Sequence, residues 1–256
     1  MNRSLPTTDI LGVRFSRLTP EAALNEAETL FDSDGHATIA YANVHTVNLA
    51  CADPAYRAVL NSADLVLNDG KGVLLAARLL GRRFPRDLNG NFFTPLLLER
   101  AALRGWRVFL MGGKPGIAAR AGDNLERHVP GLKLVGNRDG YFSPNAGALV
   151  AEEIRDSGAE LVLVALGNPK QEQWLHDHLA ASGGRLGVGV GGFVDFQAGE
   201  VRRAPDWMNK LGLEWVHRLI KEPRRMWRRY IVGNPLFVAR VLASRRPARK
   251  SERRTN

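Results

Sequence analysis

The chain has 256 residues, enough for one large core or two small lobes, and its 45% hydrophobic and 24% charged residues argue against global disorder. Its one cysteine, Cys51, excludes a disulfide framework and a zinc cluster built on thiolates. The net charge is +10, but residues 200–256 carry sixteen Lys or Arg against five Asp or Glu, so everything before them is close to neutral.

Met1 to Leu11 holds no apolar stretch of the signal-peptide kind. No apolar run approaches the roughly 20 residues of a spanning helix, so any membrane contact is expected to be peripheral. Thr38–Ala42 predicts a short strand, followed by a polar turn at Asn43–Thr46 and a helical stretch. Ala63–Leu67 predicts a second strand that ends at Asn68-Asp69-Gly70, and Gly72–Leu80 a helix. Arg107–Met111 is a third strand closed by Gly112-Gly113, with a helix over Pro115–His128 and extended chain at Leu132–Gly136. Glu160–Leu166 has a buried-strand pattern closed by Gly167-Asn168-Pro169, Lys170–Ala181 is helical, and Arg185–Val190 is a last strand before Gly191-Gly192. Strands alternating with helices of about 10–15 residues predict an α/β fold of Rossmann-like βαβ units with a mainly parallel sheet.

The alternation stops at Ala198–Pro205, which divides an α/β domain, 1–199, from a basic helical appendage, 200–256. Helices are expected over Trp207–Ile220 and Pro223–Val232, a third near Pro235, and a frayed basic end over Arg245–Asn256. Trp207, Trp215 and Trp227 stand among the arginines. Positive charge interleaved with Trp suits an anionic surface with an apolar layer behind it, as in a bilayer, and also suits nucleic acid.

In an open parallel sheet, ligands bind at the carboxyl ends of the strands. The unusual residues of this chain fall at those ends: Asn43 with His45, Asp69, Gly112-Gly113, the run Gly167 to Glu172, and Gly191-Gly192 with Asp195. Glycines let a backbone approach a ligand, and helix N-termini favour phosphate. There is no P-loop, and no G-x-G-x-x-G opens a helix after a strand, the spacing at Gly187–Gly192 starting inside the predicted strand Arg185–Val190, so ATP and NAD lose their usual signatures. Asp69 is the best candidate for proton chemistry, with an N-cap role as the alternative. Asp195 reads either as a cap or as an acceptor for a base or sugar, and Gln171 and Glu172 as first-turn residues or as part of a site. His45 has no second ligand at metal spacing, and His176 and His178 point apart on a helix, so no metal site is expected. Arg218, Arg225 and Arg228 either converge on an anion or form a solvated basic surface.

Taken in order, these motifs resemble the WecG/TagA/CpsF family of glycosyltransferases. The resemblance rests on Ala63 through Asp69-Gly70-Lys71-Gly72, Val108 through Gly112-Gly113-Lys114-Pro115-Gly116, Gly167-Asn168-Pro169-Lys170-Gln171-Glu172, and Gly191-Gly192-Phe193-Val194-Asp195-Phe196. It extends through Arg203-Ala204-Pro205-Asp206-Trp207, Gly212-Leu213-Glu214-Trp215 and Glu222-Pro223-Arg224-Arg225. It implies inverting transfer of a sugar, of the N-acetylmannosamine type, its uronic acid, or a hexose. The donor it implies is a UDP-sugar and the acceptor a polyprenyl-diphosphate-linked saccharide. It further implies work without metal or cofactor, in the cytoplasm, peripheral on the inner face of the cell membrane.

Asp69 matches the family's proposed general base, and Gln171 and Asp195 match its donor pocket. Asn43, Gly112 and Gly113 are grouped with that pocket. Arg218, Arg225 and Arg228 match arginines thought to reach the diphosphate. Two positions depart from the family pattern: Tyr41 stands where Thr is frequent, and Asn68 where Pro often precedes the aspartate. Self-association is compatible with all of this. The other function classes are a nucleic-acid-binding protein and a non-enzymatic nucleotide-sugar or lipid-binding scaffold.

Overall fold

The computed structural model describes residues 5–200, 208, 214–221 and 223–245. A two-stranded antiparallel hairpin comes first, β1 (Thr7–Ile10) and β2 (Val13–Ser16). Then follow α1 (Pro20–Asp32), β3 (Ala37–Ala42), α2 (Val44–Ala52), α3 (Pro54–Ser62), β4 (Leu65–Asn68), α4 (Lys71–Leu79) and α5 (Gly90–Arg104). The chain continues through β5 (Arg107–Gly112), α6 (Ile117–His128), β6 (Lys133–Arg138), α7 (Gly147–Asp156), β7 (Leu161–Ala165), α8 (Lys170–His178), β8 (Leu186–Gly189) and α9 (Phe193–Gln197). Three helices close the described chain: Glu214–Lys221, Pro223–Trp227 and Gly233–Ser244, with a π-helical turn at Arg228–Val232 between the last two.

The main sheet has six strands in the order β4-β3-β8-β7-β5-β6, and every neighbouring pair is parallel. The expected α/β fold with a mainly parallel sheet is therefore the observed one. Strand β7 shows why: Leu161 to Val164 are fully buried, the continuous apolar run required when helices cover both faces. One helical layer, α1, α5, α6 and α9, shares a core with Ile39, Tyr41, Leu110 and Leu163. On the opposite face α2, α3 and α4 pack with the hairpin against Ala40, Ala42 and Val66, while α7 and α8 cover Phe109, Val162 and Val164.

The last helix belongs to this body. Phe237 and Val241 are buried in the cluster that holds Val47, Ala50 and Val73. Asn48 Nδ2 donates to the Gly233 carbonyl at 2.8 Å, and Arg240 Nη1 donates to Asn48 Oδ1 at 2.7 Å.

Several local expectations are corrected. Asn43–Thr46 is not a turn: Asn43 caps α2, its Oδ1 accepting from the backbone of His45 and Thr46. Strand β4 runs on to include Asn68, because Asn68 stays in register with Ala42 of β3. Helix α6 starts at Ile117 rather than Pro115, since Gly116 sits at the N-cap in left-handed backbone. The last helix begins at Gly233, two residues before Pro235. The hairpin and helices α1, α3, α5 and α7 were not anticipated, although Thr19-Pro20 and Asp53-Pro54 are cap-plus-proline starts. Of the helix expected over Trp207–Ile220, only Met208 and 214–220 lie among the described residues, and of the frayed end expected over Arg245–Asn256 only Arg245 does.

Candidate active site

All six parallel strands deliver their carboxyl ends to one edge of the sheet, and a cleft of about 1880 Å³ opens there. Its first wall comes from the ends of β3 and β4. Asn43 Nδ2 donates to Asp69 Oδ2 at 2.9 Å, so one amide caps α2 through its oxygen and holds the aspartate through its nitrogen. Asp69 is not a helix cap; Gly70, with φ +90°, takes that position and makes no side-chain cap. The Gly70 N–H instead donates to Asp87 Oδ1 at 2.9 Å, which brings a second carboxylate into the cleft lining beside Asp69.

The opposite wall comes from the ends of β5, β7 and β8 and is largely backbone. Gly112 has φ +144°, and a Cβ there would lie 2.4 Å from the Cβ of Ala165 and 2.5 Å from its carbonyl oxygen. Gln171 lies in the first turn of α8, is almost fully buried, and its Oε1 accepts from Gly167 N at 3.2 Å and from Gly191 N at 3.0 Å. Asp195, in the first turn of α9, lines the cleft near Gly113. Across the mouth stand Trp215, Arg228, Arg229 and Tyr230, with the Trp215 and Tyr230 rings 5.9 Å apart.

The chain matches the model of the glycosyl transferase WecG/TagA/CpsF family over residues 8–251. It belongs to this family. It is 35% identical over 222 residues to an N-acetylglucosaminyldiphosphoundecaprenol N-acetyl-beta-D-mannosaminyltransferase of Bacillus spizizenii, covering 87% of this chain and 85% of that one. It is 34% identical over 206 residues to an enzyme of the same name from Bacillus subtilis, covering 80% and 79%. The protein is a glycosyltransferase, which displaces the non-enzymatic scaffold and makes the cleft its candidate active site.

The fold of this glycosyltransferase brings together Asn43, Asp69, Gly113, Gln171, Asp195 and Arg228, all of which line the cleft. Gly112 lies just behind the lining, at the end of β5. Arg218 and Arg225 sit on the helices Glu214–Lys221 and Pro223–Trp227, but their side chains lie outside the described residues. Burial, helped by the positive charge of Arg229, pushes the His45 imidazole down to about 4, so His45 is a neutral member of the lining at neutral pH. Among the described residues no three His, Cys, Asp or Glu side chains gather as a metal site would require.

The two departures from the family pattern have defined places. Tyr41 is buried with its hydroxyl 3.0 Å from Thr94 Oγ1, and burial pushes its phenol up. Asn68 Nδ2 donates to the Arg86 carbonyl at 3.0 Å, and Asn68 Oδ1 has no partner among the described residues. Sequence reasoning missed Asp87, whose carboxyl is pushed up by burial and, more weakly, by the charge of Asp69. Its signal was present: the polar residues Arg86, Asp87 and Asn89 stand directly before α5, with Asn89 as its N-cap.

Proposed function

We propose that this glycosyltransferase moves a sugar, with inversion, from a UDP-sugar to a polyprenyl-diphosphate-linked saccharide. The observation that carries the reading is a carboxylate, Asp69, fixed by Asn43 on one wall of a cleft whose other wall is glycine-rich backbone. In a single displacement the acceptor hydroxyl oxygen bonds to the anomeric carbon as the bond from that carbon to the β-phosphate oxygen breaks. The electron pair leaves with UDP, and the hydroxyl proton passes to Asp69 as general base. The UDP is assigned to the wall of Gly112, Gly113, Gln171 and Asp195, with Asn43 at the junction. Negative charge on the leaving diphosphate is met by backbone N–H groups, helix N-termini and Arg228, joined by Arg218 and Arg225, without a divalent metal. The names of the relatives support a diphosphoundecaprenol-linked acceptor and transfer of N-acetylmannosamine; the reading also takes in its uronic acid or a hexose.

The same reading takes residues 200–256 as a membrane-association appendage that completes the site. Among the described residues no helix is long and apolar enough to cross a membrane. Trp227, Ile231, Val232, Leu236, Val238 and Leu242 are nonetheless exposed, in a segment with a charge of +11. Apolar side chains beside basic ones suit an interfacial position on an anionic leaflet, which would place the enzyme at the inner face of the membrane.

The reading is tested by UDP release over a panel of UDP-sugars, with a polyprenyl-diphosphate monosaccharide as acceptor and with EDTA present. Turnover that survives EDTA is the expected result; strict dependence on Mg²⁺ or Mn²⁺ would refute the metal-free step. Sedimentation with phosphatidylglycerol vesicles, unaffected by added DNA, is expected for the appendage, and competition by DNA would favour a nucleic-acid-binding surface instead.

A further inference from the structure

Directly behind the glycine-rich wall lies a buried carboxylate that does not reach the cleft. Glu172 is only 5% exposed and is absent from the cleft lining, although its neighbours Asn168 and Gln171 are part of it. Its Oε1 accepts from Asn168 Nδ2 at 2.7 Å and from Gln171 Nε2 at 2.7 Å, and its Oε2 accepts from the Tyr56 hydroxyl of α3 at 3.1 Å. Burying a carboxylate is costly unless donors surround it, and here three do.

Both ends of the Gln171 amide are engaged. The N–H groups of Gly167 and Gly191 can only donate, so the end facing them is the oxygen, and the NH₂ at the other end donates to Glu172 Oε1, which anchors it. One amide thus staples the turn after β7 to the turn after β8. The staple leaves no room behind it: a Cβ on Gly189 would stand 2.9 Å from Gln171 Nε2. Without Glu172 the amide would lose its fixed end, and the two turns would lose the oxygen that joins them.

We propose that Glu172 is a positioning residue of the transfer reaction, holding the Gly167 and Gly191 turns through Gln171 at the spacing the donor's nucleotide diphosphate requires. The inference rests on the reading that the donor nucleotide binds against this wall. It separates from a role in stability alone by its readouts, KM and UDP binding, and by rescue with the conservative variant. Glu172→Met keeps the volume, removes both acceptors and leaves the Asn168, Gln171 and Tyr56 donors unpaired, which costs stability of its own. Glu172→Gln keeps an oxygen for Asn168 and Gln171, while the Tyr56 hydroxyl can turn to accept from its NH₂.

The experiment measures KM for the UDP-sugar, kcat, and direct calorimetric binding of UDP to the full chain. Glu172→Met should raise KM and weaken UDP binding by about tenfold, the scale of one lost hydrogen bond, with kcat changed less than the KM. Glu172→Gln should restore near-native values. Gln171→Ala should weaken UDP binding comparably, and adding Glu172→Met to it should cost little more, because Glu172 acts through Gln171. Unchanged KM in Glu172→Met, or full additivity in the double variant, overturns the proposal. If Glu172→Met does not fold, unchanged KM in Gln171→Ala overturns it as well. A wild-type chain that does not bind UDP would instead refute the donor reading itself, so the two failures are distinguishable.

Discussion

The two walls of the cleft are built on different plans. The β3–β4 wall places side chains on the cleft: Asn43 grips Asp69, and the Gly70 turn draws in Asp87. The β5–β7–β8 wall presents backbone, with Gly112, Gly167 and Gly191 all at positive φ and their turns tied by Gln171. Proton transfer needs a titratable atom in a fixed place, which a side chain supplies. A diphosphate needs close-lying N–H groups, which a backbone free of Cβ atoms supplies. The difference predicts that changes on the first wall act on kcat and changes on the second act on donor affinity or on the fold.

The sharpest way to break that division is Asp69→Asn, which keeps the shape and removes the basicity. Turnover should fall about 10²–10⁴-fold with UDP affinity close to that of the wild type. Single-turnover kinetics beside a UDP titration checks this, and a rate near wild type would remove Asp69 as the base.

On the other wall Gly112→Ala forces a Cβ into Ala165 at a φ of +144°, a position where backbone and side chain both collide. Unfolding free energy should drop by roughly 2–4 kcal/mol, with UDP affinity falling alongside it. Urea denaturation and calorimetry read the two effects. An alanine variant as stable as the parent would mean that the strands end differently.

Asn43→Ala sits between these extremes. It removes both the α2 cap and the donor on Asp69 Oδ2, so about tenfold in kcat and roughly 1 kcal/mol of stability should go together. A KM effect without a kcat effect would move Asn43 from the first wall's chemistry to donor binding.

The smallest expected effect is on pH dependence. His45 falls from an ordinary 6.5 to about 4 in the folded chain, through burial first and the charge of Arg229 second. The folded state then binds fewer protons than the unfolded chain between those values. Its contribution to stability is full above pH 6.5 and is lost as pH falls towards 4. Thermal melts from pH 7 down to 4 should show a shallower decline for His45→Gln than for the parent. Identical slopes would show that other groups govern acid sensitivity.

Much of this was legible in the order of residues. The parallel sheet followed from apolar runs such as Leu161–Val164 between helical stretches, because a strand buried on both faces can tolerate few polar residues. Strand-end glycines and Asp69 marked the cleft, because ligands in such sheets meet the carboxyl ends. Asp87 was not legible. It reaches the site from the loop before α5, seventeen residues beyond Gly70, and only the fold makes them neighbours. The part Glu172 plays was left open between a first-turn acid and a member of the site, because Tyr56, its partner from α3, is 116 residues away.

The sequence by itself determined the alternation of strands and helices, the edge on which the candidate site lies, the presence of the Asp69 carboxylate there and the basic character of the C-terminal segment. These depend on local periodicity and composition, which every stretch of chain carries with it. Only the tertiary structure decided that the last helix buries Phe237 and Val241 in the main core rather than standing apart. It alone decided that Asn43 turns its amide to Asp69, and that Gln171 spends its oxygen on two glycine turns. Hydrogen bonds between distant segments are chosen by which groups burial leaves without water, and that choice exists only once the layers have packed.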